Sequence, residues 1–313
     1  MYADPSSTDT HSRKASMQQQ WDAAAAGWNA HSRQIQAWLR RPSEAMLNMA
    51  EVRSGASVLD VAAGAGEHTL EIAQRVGPEG YVLATDLSAQ ILALAQQKFQ
   101  AAGCDWTHTW IADAGQLPLP PSSFDAAVCR LGWMLLPDPL RGLKSMKRTL
   151  RPGARLCTLV FSGPQRNPCI TTLMATALRH AGLPAADPFQ PGGLLSLGKP
   201  GLADDLFRAA GFHDVASTAV DAPFHLPSVR DYMAFVRDAA GPVRQILGRL
   251  APEAAETAWS AMEEELDRFS GAQGLSDFLQ ATRLLVNLMP LTPETENILN
   301  KDTLAQLQTG GYV

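Results

Sequence analysis

Residues 58–69 (VLDVAAGAGEHT) constrain the fold of this chain more than any other segment. The segment begins with a short apolar run around an acidic residue, which is typical of a strand covered on both faces. Gly64 and Gly66 then form a Gly-x-Gly pair, which allows a tight turn and lets a ligand approach the backbone closely. From Thr69 onward the apolar spacing predicts a helix whose unpaired N–H groups face that turn. The segment therefore predicts a nucleotide-type site at a strand–turn–helix junction.

The next two strands extend this site. An apolar strand over residues 81–85 ends at Asp86, twenty residues after Gly66, where a carboxylate can accept hydrogen bonds from both hydroxyls of a ribose. Ser88 is placed to cap a helix that ends at Gly103. A third strand, over residues 107–112, ends at Asp113, which is suitably placed for a polar contact to a base.

Two nucleotide classes fit this pattern poorly. Thr69 stands where a dinucleotide fingerprint has its third glycine, and no GK[ST] sequence of a phosphate-binding loop follows Gly64. Asp60, in a strand without lysine, disfavours a pyrophosphate and favours a cationic ligand. A dinucleotide-dependent oxidoreductase with an unusual turn stays open as an alternative.

Five blocks of the sequence resemble, in family order, the class I S-adenosylmethionine-dependent methyltransferases. The resemblance is to the group that includes the ubiquinone and menaquinone C-methyltransferases. The blocks are VLDVAAGAG (58–66), VLATDLS (82–88), ADAGQLPLPPSSFDAAVCR (112–130), LGWMLLPDP (131–139) and LRPGARL (150–156). The resemblance implies an α/β fold with a Rossmann-like, seven-stranded mixed sheet and helices on both faces. It also implies S-adenosylmethionine as cofactor and S-adenosylhomocysteine as product.

The resemblance assigns individual residues to this cofactor. It implies that Asp60 neighbours the methionine amino group through a water molecule, and that Asp86 binds the ribose. Leu87 would pack on the adenine, and the backbone of the glycine turn would line the methionine tail. Arg130 would lie beside the reactive sulfonium, with an ion pair to Asp60 or a neighbouring residue as its alternative role. The cofactor residues implied in this way are Asp60, Ala62, Gly64, Gly66, Asp86, Leu87, Asp113, Ala114 and Arg130.

Three further residues near the cofactor carry weaker predictions. His68, at the turn, is predicted to contact the methionine carboxylate, and capping of the following helix is its alternative role. Trp28 and His31 share one face of a predicted lid helix. Trp28 is predicted to contact the sulfonium through cation–π attraction, and His31 is a candidate base. The alternative for both is a packed lid helix with an exposed imidazole.

The acceptor side of the site is less determined by the sequence. Trp133 and Met134 are predicted to wall an apolar acceptor pocket, with core packing as the alternative. Tyr232 on a cap helix is a third candidate substrate contact, although packing between helices competes with that role. His225 is a second candidate base, with a surface turn as its alternative. The catalytic residues are otherwise unknown, because transfer from an activated donor requires alignment more than a fixed catalytic group.

The order of apolar strands and helices predicts a core with added cover. The predicted order is a disordered tail (1–16), a helical lid (17–55), the cofactor-binding core (56–165), a substrate cap (166–200 and 225–275), the remainder of the core sheet (201–224 and 276–290) and a tail (291–313). The fifth strand is expected at 155–161, the sixth at 212–224 and the last within 278–288.

Composition and charge restrict the partners. With 46% hydrophobic residues and a net charge of −5, the chain is expected to form a full core and to bind no nucleic acid. No membrane span, secretory signal or CxxC spacing is seen, so we expect a cytoplasmic protein with buried thiols and no metal site. The long helical segments leave room for a homodimer.

These observations predict an enzyme that transfers a methyl group to a small, partly apolar molecule by in-line displacement. The methylated atom (O, N, S or C) stays open, and the resemblance alone favours secondary metabolism or a quinone-like acceptor. A non-catalytic relative that binds the cofactor for regulation is the second alternative to an enzyme.

Overall fold

A computed structural model describes residues 5–224, 226, 228–267 and 283–288, with the backbone alone for 5–14 and 283–288. Its centre is a seven-stranded sheet in the order β3-β2-β1-β4-β5-β7-β6. The strands are β1 (Ser57–Val61), β2 (Tyr81–Asp86), β3 (Thr107–Ile111), β4 (Phe124–Arg130), β5 (Leu150–Phe161), β6 (Ala216–Asp221) and β7 (Arg283–Leu288). Strands β1 to β5 pair in parallel, whereas β7 lies antiparallel to both β5 and β6.

Ten α-helices accompany the sheet within the described residues. They are α1 (Pro5–Ala30), α2 (Ser32–Met49), α3 (Glu67–Val76), α4 (Ala89–Ala101), α5 (Pro139–Thr149), α6 (Pro168–His180), α7 (Leu202–Ala209), α8 (Val229–Ala239), α9 (Gly241–Leu247) and α10 (Pro252–Asp267). None of these helices combines the length and the apolar composition that a membrane crossing requires.

The central parallel strands β1 and β4 are buried because helices cover them. Val58, Leu59 and Val61 of β1 are almost completely inaccessible to solvent, as are Ala127 and Val128 of β4. Such continuous apolar runs are what a strand needs when both faces of its sheet pack against helices. The predicted α/β Rossmann-like fold is therefore confirmed for the five parallel strands and their helices.

Several element boundaries differ from the prediction. Residues 1–16 were expected to be disordered, but α1 already begins at Pro5, and only residues 1–4 of that tail lie outside the described residues. Pro5 is favourable at the first position of a helix, and no glycine or proline follows it before Gly27. Strand β5 begins at Leu150 and so includes the RPG turn, and β6 is shorter than expected. The predicted tail (291–313) lies outside the described residues.

Candidate active site

A cavity opens at the carboxyl ends of β1, β2 and β4. Strand β1 lies between β2 and β4 in the sheet. The strand order therefore reverses at β1, with β2 and β3 on one side and β4 and β5 on the other. This is where open α/β sheets bind ligands. All the residues predicted to bind the cofactor line this cavity except Gly66: Trp28, Asp60, Ala62, Gly64, His68, Asp86, Leu87, Asp113, Ala114 and Arg130.

Two residues at the floor of this cavity have unusual backbone conformations. Ala62 follows β1 with a φ of 56°, and Leu131 follows β4 with a φ of 57°. A left-handed conformation costs a non-glycine residue on the order of 1–2 kcal/mol, so neighbouring packing must hold both in place. Gly132 provides part of that packing, because a Cβ on Gly132 would lie 2.3 Å from the Ala62 Cβ. The loops after β1 and β4 are thus pressed against each other below the cavity.

Asp86 shapes the glycine turn as well as facing the cavity. The Gly64 N–H donates to Asp86 Oδ2 at 3.1 Å, and the Ser88 N–H donates to Asp86 Oδ1 at 3.0 Å. Burial raises the pKa of Asp86, although these backbone donors oppose the rise. Gly64 itself has a φ of 60°, which glycine adopts without steric cost. The sequence indicated the carboxylate but not its second function in holding the turn.

Gly66 has a different role from the one predicted. It does not line the cavity. A Cβ at this position would lie 2.8 Å from both Ala95 Cβ and Phe99 Cε1 of α4, and its φ is 86°. Gly66 therefore allows α4 to pack closely against the start of α3, and its contribution to the cofactor cavity is indirect.

A buried polar cluster forms one end of the cavity. Asp60 Oδ2 accepts a hydrogen bond from Thr69 Oγ1 at 2.8 Å, while Asp60 Oδ1 has no partner. Burial raises the pKa of Asp60, although the charges of His68 and Arg130 and the Thr69 hydrogen bond act against it. A buried carboxylate oxygen without a donor is rare in folded proteins, so this atom requires a donor from a ligand or from a water molecule.

Glu71 and Ser43 complete this cluster, and the sequence prediction missed both. His68 Nδ1 lies 3.3 Å from Glu71 Oε2, and His68 Nε2 is buried without a partner. Burial acts to raise the pKa of Glu71, but its hydrogen bond to His68 and the nearby positive charges outweigh that effect, so the pKa is lowered. Arg130 donates to Ser43 Oγ of α2 at 3.1 Å. The i,i+3 spacing of His68 and Glu71 was the one available signal.

Asp113 follows β3 and lines the cavity on that side of the sheet. Its Oδ1 accepts from the Gly115 N–H at 2.8 Å and so caps a short 3-10 turn over residues 114–116. Ala114 begins that turn, and Leu87 and Ile91 add apolar surface to the same cavity. This side therefore offers an apolar slot with a carboxylate at its edge, as a base would require.

The first helix lies over the cavity. A Cβ on Gly64 would lie 3.6 Å from Trp28 Nε1, so this indole rests against the glycine turn. Trp21 meets Trp28 edge-on, with ring centroids 5.9 Å apart. Asp22 also makes a hydrogen bond with Ser88, the N-cap of α4. These contacts hold α1 across the carboxyl end of the sheet.

A second, apolar cavity adjoins the first. Its walls come from five aromatic residues in mutual contact: Trp38, Phe161, Phe224, Tyr232 and Phe235. None of the described residues that line it carries a charged side chain. Both cavities share Trp21, Trp28, Leu131 and Leu135 as a common wall.

Two of the three predicted substrate contacts line the apolar cavity, and the third does not. Met134 and Tyr232 line the apolar cavity, whereas Trp133 lines neither cavity. Trp133 is completely buried, its Nε1 donates to Pro139 O at 2.9 Å, and its ring meets Phe207 edge-on. The prediction of a substrate contact at Trp133 was therefore wrong, and core packing is its role.

Of the two candidate bases, His31 lies away from both cavities. His31 Nε2 lies 2.9 Å from Asp238 Oδ2 of α8, and its ring meets Phe235 edge-on. His31 lines neither cavity, so it joins the lid to the cap instead of facing a substrate. His225 lies outside the described residues.

Comparison with known proteins agrees with this geometry. Residues 32–177 match the model of the ubiE/COQ5 methyltransferase family. Over these residues the chain is similar to the class I S-adenosylmethionine-dependent methyltransferases of the ubiE/COQ5-like group. It is 38% identical over 121 residues to the ubiquinone/menaquinone biosynthesis C-methyltransferase UbiE of Hahella chejuensis, a match that covers 38% of this chain and 48% of that protein. This chain therefore spans about half the length of the curated relatives it matches.

Solved structures show the same fold. The [4+2]-cyclase SpnF has a TM-score of 0.53 at 17% identity, over 87% of this chain and 97% of that one. Phosphoethanolamine N-methyltransferase 2 of Haemonchus contortus, solved with S-adenosyl-L-methionine, has a TM-score of 0.50 at 14% identity, over 80% of this chain and 53% of that one. At these identities the likeness shows the fold alone.

S-adenosylmethionine is the cofactor of this group, and the residues present fit it. The amino acid end of the cofactor carries an ammonium and a carboxylate. The cavity contains the unpartnered Asp60 Oδ1, which would accept from the first, and His68 Nε2 with the partly buried Arg130, which would donate to the second. Asp86, Leu87 and Asp113 line the same cavity.

Proposed function

We propose that this protein transfers the methyl group of S-adenosylmethionine to a small, partly apolar molecule held in the apolar cavity. The observation that carries the proposal is the common wall of the two cavities, formed by Trp21, Trp28, Leu131 and Leu135. A donor in one cavity and an acceptor in the other would meet at that wall.

The cofactor supplies an activated methyl group, so the protein needs no covalent intermediate. Asp60 and His68 would hold the amino acid end, and Asp86 would accept hydrogen bonds from the ribose hydroxyls. The rigid loops after β1 and β4, fixed by the close contact of Gly132 with Ala62, would set the position of the sulfonium. Alignment of donor and acceptor can by itself lower the barrier by about 7–11 kcal/mol.

The helices and aromatic side chains around the two cavities would exclude water and stabilise the positive charge of the donor. Helix α1 covers the cofactor cavity, and the cap helices α8 and α9 contribute Tyr232, Phe235 and Val243 to the acceptor cavity. Together they would exclude water from the transfer, which protects the donor from hydrolysis. Trp28 would place its indole face near the sulfonium, where a cation–π contact stabilises the positive charge. No described side chain of the apolar cavity is a strong base, so the acceptor would be aligned more than activated.

A groove offers an access path for the acceptor. It has a volume of about 770 Å³ and runs along α6 and the Pro/Gly-rich segment after it. Ile170, Met174 and Leu194 line both this groove and the apolar cavity. An acceptor larger than the cavity would extend into the groove.

The proposal also covers the cellular compartment and the binding partners of the protein. The four cysteines are buried and form no disulfide with one another, which supports a reducing compartment such as the cytoplasm. Burial raises the pKa of the Cys129 thiol to about 12, so this thiol is not reactive. The division into lid, core and cap, the absence of a nucleic-acid partner and a homodimer are further parts of the proposal, and gel filtration with light scattering tests the last.

One experiment separates the proposed function from its alternatives. The purified protein is titrated with S-adenosylhomocysteine and with NAD⁺ in a calorimeter, then incubated with methyl-labelled S-adenosylmethionine and extracts of its host. Tight binding of S-adenosylhomocysteine and a labelled small molecule identified by mass are expected. Preference for NAD⁺ would favour an oxidoreductase. Binding without turnover would favour a non-catalytic relative or a different reaction, since the same fold includes a protein named as a cyclase.

A further inference from the structure

Helix α1 covers the cofactor cavity and ends at a break in the helical backbone. Met17, Trp21 and Trp28 of α1 line this cavity. His31 separates α1 from α2, with a φ of −95° and a ψ of 15°, and α2 then packs its apolar face into the core. Hinges in proteins consist of a few residues at the ends of elements, where the backbone absorbs a rotation. His31 is therefore the position about which α1 can rotate relative to α2.

Polar contacts fix the chain on both sides of this break. His31 Nε2 lies 2.9 Å from Asp238 Oδ2 of α8. Lys98 Nζ of α4 donates to Ser32 Oγ at 3.2 Å and forms an ion pair with Glu67, the first residue of α3. The break is thus attached to the cap helix α8 and to two core helices, so a rotation of α1 would leave it in place.

Away from the break, α1 meets the core through small apolar residues and a polar contact. Ala25 packs against Ala65 and Ile91. Ser88 Oγ donates a hydrogen bond to Asp22 Oδ1. Asp22 lies about 13 Å along the helix from the break, at about 1.5 Å per residue, so this hydrogen bond acts far from the pivot. Alanine side chains bury little apolar surface, so the hydrogen bond is a substantial part of the attachment.

The hydrogen bond joins α1 to the loop that holds Asp86. Ser88 is completely buried, and its backbone N–H donates to Asp86 Oδ1 at 3.0 Å. Asp22 itself does not line the cofactor cavity. A substitution at Asp22 can therefore change the position of α1 without removing a contact to the cofactor.

We propose that α1 is a gate for the cofactor, which rotates about the break at His31 and is held closed by the Asp22–Ser88 hydrogen bond. The gate limits the rates of cofactor entry and product release, because both occur beneath α1. Trp21 and Trp28 also line the apolar cavity, so opening of the gate exposes both cavities together. Asp22 is a positioning residue for α1. This inference rests on the proposed function, since it takes S-adenosylmethionine as the ligand of the cavity.

Stopped-flow fluorescence tests the gate, because Trp21 and Trp28 lie in the wall of the cavity where binding occurs. The association and dissociation rates of S-adenosylhomocysteine are measured for the full chain and for Asp22→Ala. Both rates should rise together by roughly threefold to tenfold, and the dissociation constant should stay unchanged, since opening becomes easier with and without the ligand. Faster dissociation with an unchanged association rate would overturn the proposal, because it would show only lost affinity. Two unchanged rates would overturn it as well.

Asp238→Ala is the matched control, because it removes an aspartate that contacts the break at the pivot. Asp238 is 55% exposed, and exposed pairs contribute little, so both rates should stay within about twofold of the original. A joint rise in Asp238→Ala but not in Asp22→Ala would place the closing contact at the cap and overturn the proposal.

A cysteine in the contact between α1 and the core covers the case in which Asp22→Ala is unstable. Ala25 is 3% exposed and lines neither cavity. In Ala25→Cys, a thiol reagent should react at this position faster than at the four buried native cysteines, and S-adenosylhomocysteine should slow that reaction. Reaction no faster than at the native cysteines would overturn the proposal. Failure of S-adenosylhomocysteine to bind in the calorimeter would instead refute the proposed function, whereas the thiol reaction would still report the motion of α1.

Discussion

The substitution Asp60→Asn should affect the stability of the fold and the affinity of the protein for its cofactor differently. In the structure Asp60 Oδ2 is held by Thr69, whereas Oδ1 has no partner. Asparagine has nearly the same shape, and its oxygen can still accept from the Thr69 hydroxyl. Its amide nitrogen would then take the place of the unpartnered oxygen. The substitution therefore keeps the packing and removes the charge that is expected to attract the methionine ammonium.

The substitution should lower the affinity for the cofactor without lowering the stability of the fold. A hydrogen bond that involves charged groups contributes about 1.5–3 kcal/mol, which corresponds to a loss of affinity of roughly 10- to 100-fold. Burial holds the pKa of Asp60 above its usual value, so the ionised carboxylate destabilises the free protein at neutral pH. The free energy of unfolding of Asp60→Asn should accordingly stay level or rise at pH 7.

Calorimetric titration with S-adenosylhomocysteine measures the affinity, and denaturant unfolding without the cofactor measures the stability. Asp125→Asn serves as the control, since Asp125 accepts from the Ser57 N–H at 2.8 Å, at the start of β1 and away from the cavity. The control should keep its affinity. An Asp60→Asn protein that is folded and binds S-adenosylhomocysteine as tightly as the original would refute the reasoning.

Four further predictions test other parts of the site. Asp86→Ala should weaken S-adenosylhomocysteine binding by at least about 1.5–3 kcal/mol in calorimetry, because it removes the ribose acceptor and the support of the Gly64 N–H; unchanged affinity would count against the assignment. Gly66→Ala should lower the unfolding free energy in denaturant by about 1–3 kcal/mol, since its Cβ would press on α4; equal stability would contradict that packing. Trp28→Ala should weaken S-adenosylmethionine more than S-adenosylhomocysteine, by several-fold, if the indole contacts the sulfonium; equal losses would exclude that contact. Acidification should progressively weaken the binding of S-adenosylhomocysteine. Burial raises the pKa values of Asp60 and Asp86, so both carboxylates become protonated at a higher pH than a free carboxyl group; affinity that rises at lower pH would contradict the assignment.

The sequence was sufficient to predict the core of the site because that core is local. A strand end, a glycine turn and a helix start follow one another within residues 58–69, and parallel strands bring their carboxyl ends to one edge. Asp60, Asp86 and Asp113 each end or lie near such a strand, so their convergence follows from topology alone. The structure places all three in one cavity.

The sequence was insufficient where a role depends on distant packing. Gly66 has the spacing of a ligand-binding glycine, but only the approach of α4 shows that it serves packing. His31 was predicted on one face of a lid helix with Trp28, but it lies at the junction of α1 and α2, and its ring contacts Asp238, 207 residues away. The aromatic wall likewise joins residues from α2, β5 and the cap, whose meeting no local pattern indicates.

A crystal structure of the protein with S-adenosylhomocysteine would show whether this cavity holds the cofactor. We expect the amino group within reach of Asp60, the ribose at Asp86, the base between Leu87 and Asp113, and the sulfur facing the wall that contains Trp28. S-adenosylhomocysteine bound outside this cavity, or with its sulfur turned away from the apolar cavity, would contradict it.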